Sequence, residues 1–220
     1  NTVTADALQS AIEVKDGNLA ITGKGTLNAT AEPQKSRSAV KVEYGSLAIS
    51  GDVTLNATAG TDTIAVSGDG KTGGDVDIRG ANVNVTATNK VPHTIGIHTR
   101  AGNITINEGA DVHVEAEANG GLNAVAVYAE NISSEHGGCI AVDNAKLDAA
   151  ARNGCSVSVA LYSFGGKDTY LSITNGADVT LVASDKADVL DGVWMLAQDG
   201  VSRVLVENSS LTVRCGDGTG

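Results

Sequence analysis

Aromatic side chains are scarce: they make up 3% of the 220 residues, with one Trp, one Phe and four Tyr. A globular sandwich or enzyme core usually takes its bulk from such rings. This chain must fill its interior with Val, Ile, Leu and Ala instead, which suits a narrow, regular core. Proline is scarcer still. Pro33 and Pro92 are the only two, and neither sits in a linker-like run. No composition break divides the chain, so residues 1–220 are expected to form a single domain. Cys139, Cys155 and Cys215 are too few, and odd in number, for a disulfide framework. No stretch approaches the roughly 18 apolar residues of a membrane span, so direct membrane insertion is not expected. Basic residues are outnumbered as well, 15 Lys and Arg against 26 Asp and Glu, for a net charge of −11. Nucleic acid demands basic patches and is therefore not an expected partner. The abrupt opening in NTVTADALQ and the stop in RCGDGTG suggest a portion of a longer surface protein.

What the sequence has in abundance is repetition. The segment from Ser10, SAIEVKDGNLAITGKGTLNATA, returns from Ser38 as SAVKVEYGSLAISGDVTLNATA. The unit is an alternating strand, a glycine, a second alternating strand, a glycine, a third alternating strand and then a variable loop. First strands begin near Leu19, Leu47, Val76, Ile104, Ile140, Leu171 and Val204. Second strands begin at Leu27, Leu55, Val83, Val112, Leu147, Val179 and Leu211. Third strands show as Ile12/Val14, Val40/Val42, Ile64/Val66, Ile95/Ile97, Val125/Val127, Val159/Leu161 and Val193/Met195. Strict period-2 alternation means that each strand buries one face. Three dissimilar strands in fixed order stack like over like, in parallel, and each coil is buried only by its neighbours. The expected fold class is all-β: a single right-handed parallel β-helix (solenoid) of about seven three-strand coils.

The motif GNLAITGKGTLNATA resembles the repeats of bacterial secreted β-helix proteins of the pectate-lyase-like solenoid type. It is similar, among these, to carbohydrate-binding β-helix domains of clostridial and gut bacterial surface proteins. That resemblance implies a secreted or cell-surface location. It also implies a polysaccharide or a host or cell-surface glycan as partner, and a binding or adhesion role. A repeat motif specifies a coil rather than a ligand. A structural stalk is therefore the alternative, and a polysaccharide lyase or hydrolase a less favoured third.

Alternation also places the outward residues. One column runs Asn28, Asn56, Asn84, His113, Asp148, Thr180, Thr212, and its neighbour Thr30, Thr58, Thr86, Glu115, Ala150, Val182, Arg214. These are mainly ladders of Asn and Thr. Asp77 beside Arg79, Asp143 with Asp148, and His113 with Glu115 are the small acidic or acid–base groups. None assembles the clustered acids or acid-plus-base that glycoside cleavage needs, so no enzymatic activity is expected. The scarce rings do gather. His98, Tyr128 and Tyr162 fall on successive coils after the last inward residue of the third strand, with Leu196 next. The adjacent column is expected to be Gly96, Ala126, Ala160 and Trp194, a small-residue floor with an aromatic wall. His98, Tyr128, Tyr162 and Trp194 are thus the candidate ligand-binding residues, with Phe164 nearby and Glu130, Asp168 and Asp199 as flanking acids. The alternative is that these rings anchor loops at a coil corner. No cofactor is required. Calcium is the one cation the acidic loops suit, with Asp69 and Asp75 as candidate ligands and Asp185, Asp188 and Asp191 as a second set, although neither loop alone offers the six to eight oxygens of a full site. Cys215 is expected in the core, Cys139 pointing outward and Cys155 in a loop. Open solenoid ends are exposed sheet edges, so end-to-end self-association is a further expectation.

Overall fold

The computed structural model describes residues 2–7, 10–32, 37–68, 74–89, 92–131, 138–166, 168–184 and 187–216. Among them the regular structure is entirely β, and every strand pairing is parallel. The chain winds into a β-solenoid of about six turns. The third strands of the repeat form a seven-stranded sheet of Ile12–Lys15, Val40–Glu43, Asp62–Ser67, His93–Arg100, Asn123–Asn131, Val157–Gly165 and Val189–Ala197. The first and second strands form one sheet of 13 strands folded over a corner. Its two halves are continuous because Leu19–Ala31 and Leu47–Ala59 run unbroken round that corner.

Each repeated apolar position becomes a column through the core. Leu47, Val76, Ile104, Ile140 and Leu171 lie in register on the first face, and Leu55, Val83, Val112, Leu147 and Val179 on the second. All ten are essentially inaccessible to solvent. Burying one such side chain contributes roughly 1.5–3 kcal/mol, against the entropy of ordering the chain. On the solvent side, Asn56 donates to Asn28 at 2.7 Å and Asn84 to Asn56 at 2.9 Å. The outward columns of the second face therefore fall where alternation places them.

The corners repeat too. At the bend into the first face, a side-chain acceptor of one coil takes the backbone N–H of the next. Ser46 N–H donates to Asn18 Oδ1 (2.9 Å), Asp75 N–H to Ser46 Oγ (3.2 Å), Asn103 N–H to Asp75 Oδ1 (2.8 Å), and Cys139 N–H to Asn103 Oδ1 (3.0 Å). Glycines beside this ladder stack backbone on backbone. A Cβ on Gly45 would lie 2.0 Å from Gly17 O, and one on Gly102 would lie 2.2 Å from Gly74 C. At the bend between the first and second faces, Asn144, Asn175 and Asn208 adopt positive φ of 45°, 58° and 50°. Among non-glycine residues, asparagine tolerates that region best.

Two expectations are corrected. On the third face, simple alternation misplaces the register. Ile64 lies beside Ile97, not Ile95, and Leu161 beside Val193. The strands bend at Gly96, Ala126, Ala160 and Gly192, so two successive residues face inward. A Cβ on Gly96 would meet Val114 Cγ1 at 2.2 Å, and one on Gly192 would meet Val213 Cγ1 at 2.1 Å. These small residues are core residues at the bend, not an outer floor. Ile95, Val125 and Val159 lie instead in register with Asp62 and Asp191. Cys215 is the second correction. It occupies the core column of Ala183, yet it is exposed because it belongs to the last described coil. Cys155 is exposed, and Cys139 is half-buried.

Gly45→Ala is expected to destabilise the fold by about 3 kcal/mol, the upper range for a clash that backbone shifts must absorb. Gly17→Ala, whose Cβ would meet nothing within 4 Å, is expected to cost far less. Urea unfolding of the two variants checks this.

Candidate functional site

The corrected register assembles the aromatic residues into one line. Along the third face, Glu13, Lys41, Ala65, His98, Tyr128, Tyr162 and Trp194 lie directly over one another. Trp194 is therefore the fourth ring of the column itself, and Leu196 lies in the next column beside Phe164. His98 and Tyr128 stack at 4.6 Å between centroids with planes 7° apart. Tyr128 and Tyr162 follow at 4.6 Å and 11°, then Tyr162 and Trp194 at 5.1 Å and 26°. Phe164 is tilted against Tyr162 at 6.2 Å. The coil spacing of a parallel sheet, about 4.8 Å, sets these distances. Consequently the inner ring faces are spent on one another, and the column turns ring edges and phenol groups outward.

His98 closes one end of the stack and is nearly buried, with 3% of its surface exposed. Its Nδ1 lies 3.4 Å from Asp62 Oδ1 and its Nε2 lies 3.4 Å from Glu130 Oε2. Burial disfavours an imidazolium, but the hydrogen bonds to Asp62 and Glu130 outweigh it and raise the His98 pKa. Burial likewise pushes the Asp62 carboxyl up, and His98 together with the Arg100 charge more than reverses this, leaving it lowered. Burial, then the Glu130 charge, raises the Tyr128 phenol, and the same two causes raise Tyr162. Arg100 Nε approaches Glu130 Oε2 at 3.9 Å. Asp62 and Glu130 were not legible as partners of His98. Glu130 was marked only as an acid flanking the rings, and the signal that places both carboxylates is the run of small central residues in IGI, VAV and VAL, which marks the bend.

Beside His98 the column is interrupted. Ala65 puts a methyl group where the following coils put rings, and a cleft of about 370 Å³ opens there, lined by His98, Lys41, Asp62, Ala65 and Arg100 among others. Thr61 Oγ1, also in its lining, is buried and has no hydrogen-bond partner among the described residues.

The other candidates are placed as follows. Asp69 and Asp185 lie outside the described residues. Asp75 is a link in the corner ladder, accepting from Asn103. Asp191 lies in register with Val159 on the third face, and Asp188 is in the preceding bend. No group of three or more His, Cys, Asp or Glu residues able to hold a metal ion occurs among the described residues. Asp77 is paired with Arg79 at 2.5 Å, Asp148 with Lys146 at 2.7 Å and Glu115 with Arg152 at 3.3 Å. Asp143 accepts from Thr174 and Asn175. His113 sits in register between Asn84 and Asp148. Asp168 accepts from the Val201 N–H and from the Tyr170 hydroxyl. No family model matches the chain, and no curated protein or solved structure matches it either.

The His98 cluster gives stability a defined pH window. The raised His98 pKa contributes stability that is complete below its unfolded value, about 6.5, and is lost as pH rises through the folded value. The lowered Asp62 pKa contributes stability present above about 3.9, lost as pH falls through its folded value. Melting temperature is therefore expected to fall on the alkaline side in the native protein, and His98→Gln is expected to flatten that limb. Thermal melts from pH 5 to 9 measure it.

Proposed function

We propose that the chain is a non-catalytic binding or adhesion module of a bacterial surface protein, working outside the cell with a polysaccharide or surface glycan as its ligand. The observation that carries this reading is the four-ring column along the third face. A polymer whose units repeat suits a surface whose groups repeat along a rigid rod. With the inner faces closed, the column meets a glycan through ring edges and the phenol groups of Tyr128 and Tyr162. The resemblance of GNLAITGKGTLNATA to secreted β-helix repeats supports the extracellular setting, the bacterial origin and a right-handed winding. The carboxylates singled out by alternation are held in ion pairs or hydrogen bonds, which favours binding over catalysis. Calcium, if taken, is an accessory to such binding and not a requirement.

One observation favours a second reading, a structural stalk. Rings that cover one another's faces tie successive coils together, as the asparagine ladder does on the second face. End-to-end self-association belongs to this reading, since any uncapped strand edge pairs with another.

The two readings part in a Tyr128→Ala/Tyr162→Ala variant. The binding reading expects signal on a glycan array from the native protein and its loss in the variant. The stalk reading expects no glycan signal from either protein, with stability falling by about 1–3 kcal/mol as the stacking contacts are lost.

A further inference from the structure

We propose that the cleft over Ala65 is a binding site for a single phenolic ring, which takes the position in the aromatic column that the sequence leaves empty. This site adjoins the glycan surface at His98 but does not depend on that reading.

The vacancy is set by register. Lys41, Ala65 and His98 are consecutive members of one column. Lys41 and His98 are two coil spacings apart, roughly 9.6 Å. A ring stacked midway needs about half of that on each side, which is the spacing of the three stacked pairs beyond it. Ala65 contributes only a methyl group to this gap.

The walls select the ring. His98 lines the cleft with a carboxylate oxygen 3.4 Å from each ring nitrogen, a setting that favours the doubly protonated, cationic ring. Its other face is already on Tyr128. Little of His98 is exposed, so a ring must open the cleft slightly to reach it. Lys41 is the wall that can move. Its side chain is a third exposed, and its amine is held by the surface carboxylates Glu13, at 3.4 Å, and Glu43. A ring between Lys41 and His98 therefore has the Lys41 ammonium toward one face and, with His98 protonated, a second cation toward the other, which favours an electron-rich π system over a saturated ring of the same size. The rim selects the substituent. Asp62 accepts a hydrogen bond, and Thr61 Oγ1 is buried and unpartnered among the described residues. A phenol hydroxyl satisfies either. The ring can come from a small phenol or from a tyrosine side chain, and the two share this chemistry.

The test uses p-cresol as probe, 4-methylcyclohexanol as a saturated control of similar shape, and N-acetyl-tyrosine amide for the side-chain source. The readout is the His98 ring resonances, assigned by their absence in His98→Gln. Saturable shifts with p-cresol and none with the saturated alcohol are expected. Comparable binding of the tyrosine amide assigns the source to a peptide, and binding of p-cresol alone assigns it to a small phenol. Ala65→Phe supplies the ring within the chain and is expected to lower p-cresol affinity at least about tenfold while raising the melting temperature. Lys41→Ala, on the exposed rim, is expected to weaken p-cresol about threefold to tenfold, the worth of one cation–π contact. The proposal is overturned by the absence of saturable shifts up to about 10 mM p-cresol, where even a ring this small should register. Equal binding of the saturated alcohol, or unchanged p-cresol affinity in a folded Ala65→Phe or Lys41→Ala, overturns it as well.

Discussion

The parallel register between coils is the constraint on which everything else rests. A strand in this fold has its backbone N–H and C=O groups satisfied by the coils on either side. That pairing leaves no freedom in what lies over what. Once Leu19 pairs with Leu47, and Leu55 with Val83, the same side-chain type recurs at one lateral position for the length of the rod. Aliphatics at such a position make a core column, asparagines a hydrogen-bond ladder and rings a stack. Chemistry that would be a single contact in a globular protein is here multiplied along a line.

The sequence carries most of this fold on its surface. A repeat that alternates strictly, with few rings and many small aliphatics, leaves a parallel solenoid as the consistent solution. Both the first and second faces fall in the predicted register. The third face does not, for an identifiable reason. In Ile95-Gly96-Ile97, Val125-Ala126-Val127 and Val159-Ala160-Leu161 the outer residues are apolar and the centre is small. Alternation then points the small residue outward. The backbone bends there instead, and the small residue faces the core because Val114 and Val213 leave no room for more. One apolar side chain of each trio is left in register with Asp62 and Asp191. A period-2 pattern cannot report a break in its own period, so Trp194 is displaced from its column on paper while the other three rings are placed correctly.

The candidate site was legible as a set of residues but not as a geometry. His98, Tyr128, Tyr162 and Trp194 do lie together. Sequence could not show that they face one another, because ring orientation follows from coil spacing and not from residue type. The consequence is chemical. Rings lying flat on a sheet present π surface to a ligand, whereas rings stacked along the rod present edges and hydroxyls. On the Ala65 side the stack ends in a buried, doubly paired histidine. Neither carboxylate of that pair carries a motif, and both are set beside His98 by register alone.

The hydrogen bonds that join the coils lie along the long axis of the solenoid. Tension applied between its two ends would therefore act on one interstrand ladder at a time, peeling strands away instead of shearing many bonds together. Each released coil then adds contour length before the next is loaded. Under pull, the molecule is an extensible tether whose give is metered in whole turns, and the repeat that builds the rod also sets the size of each step.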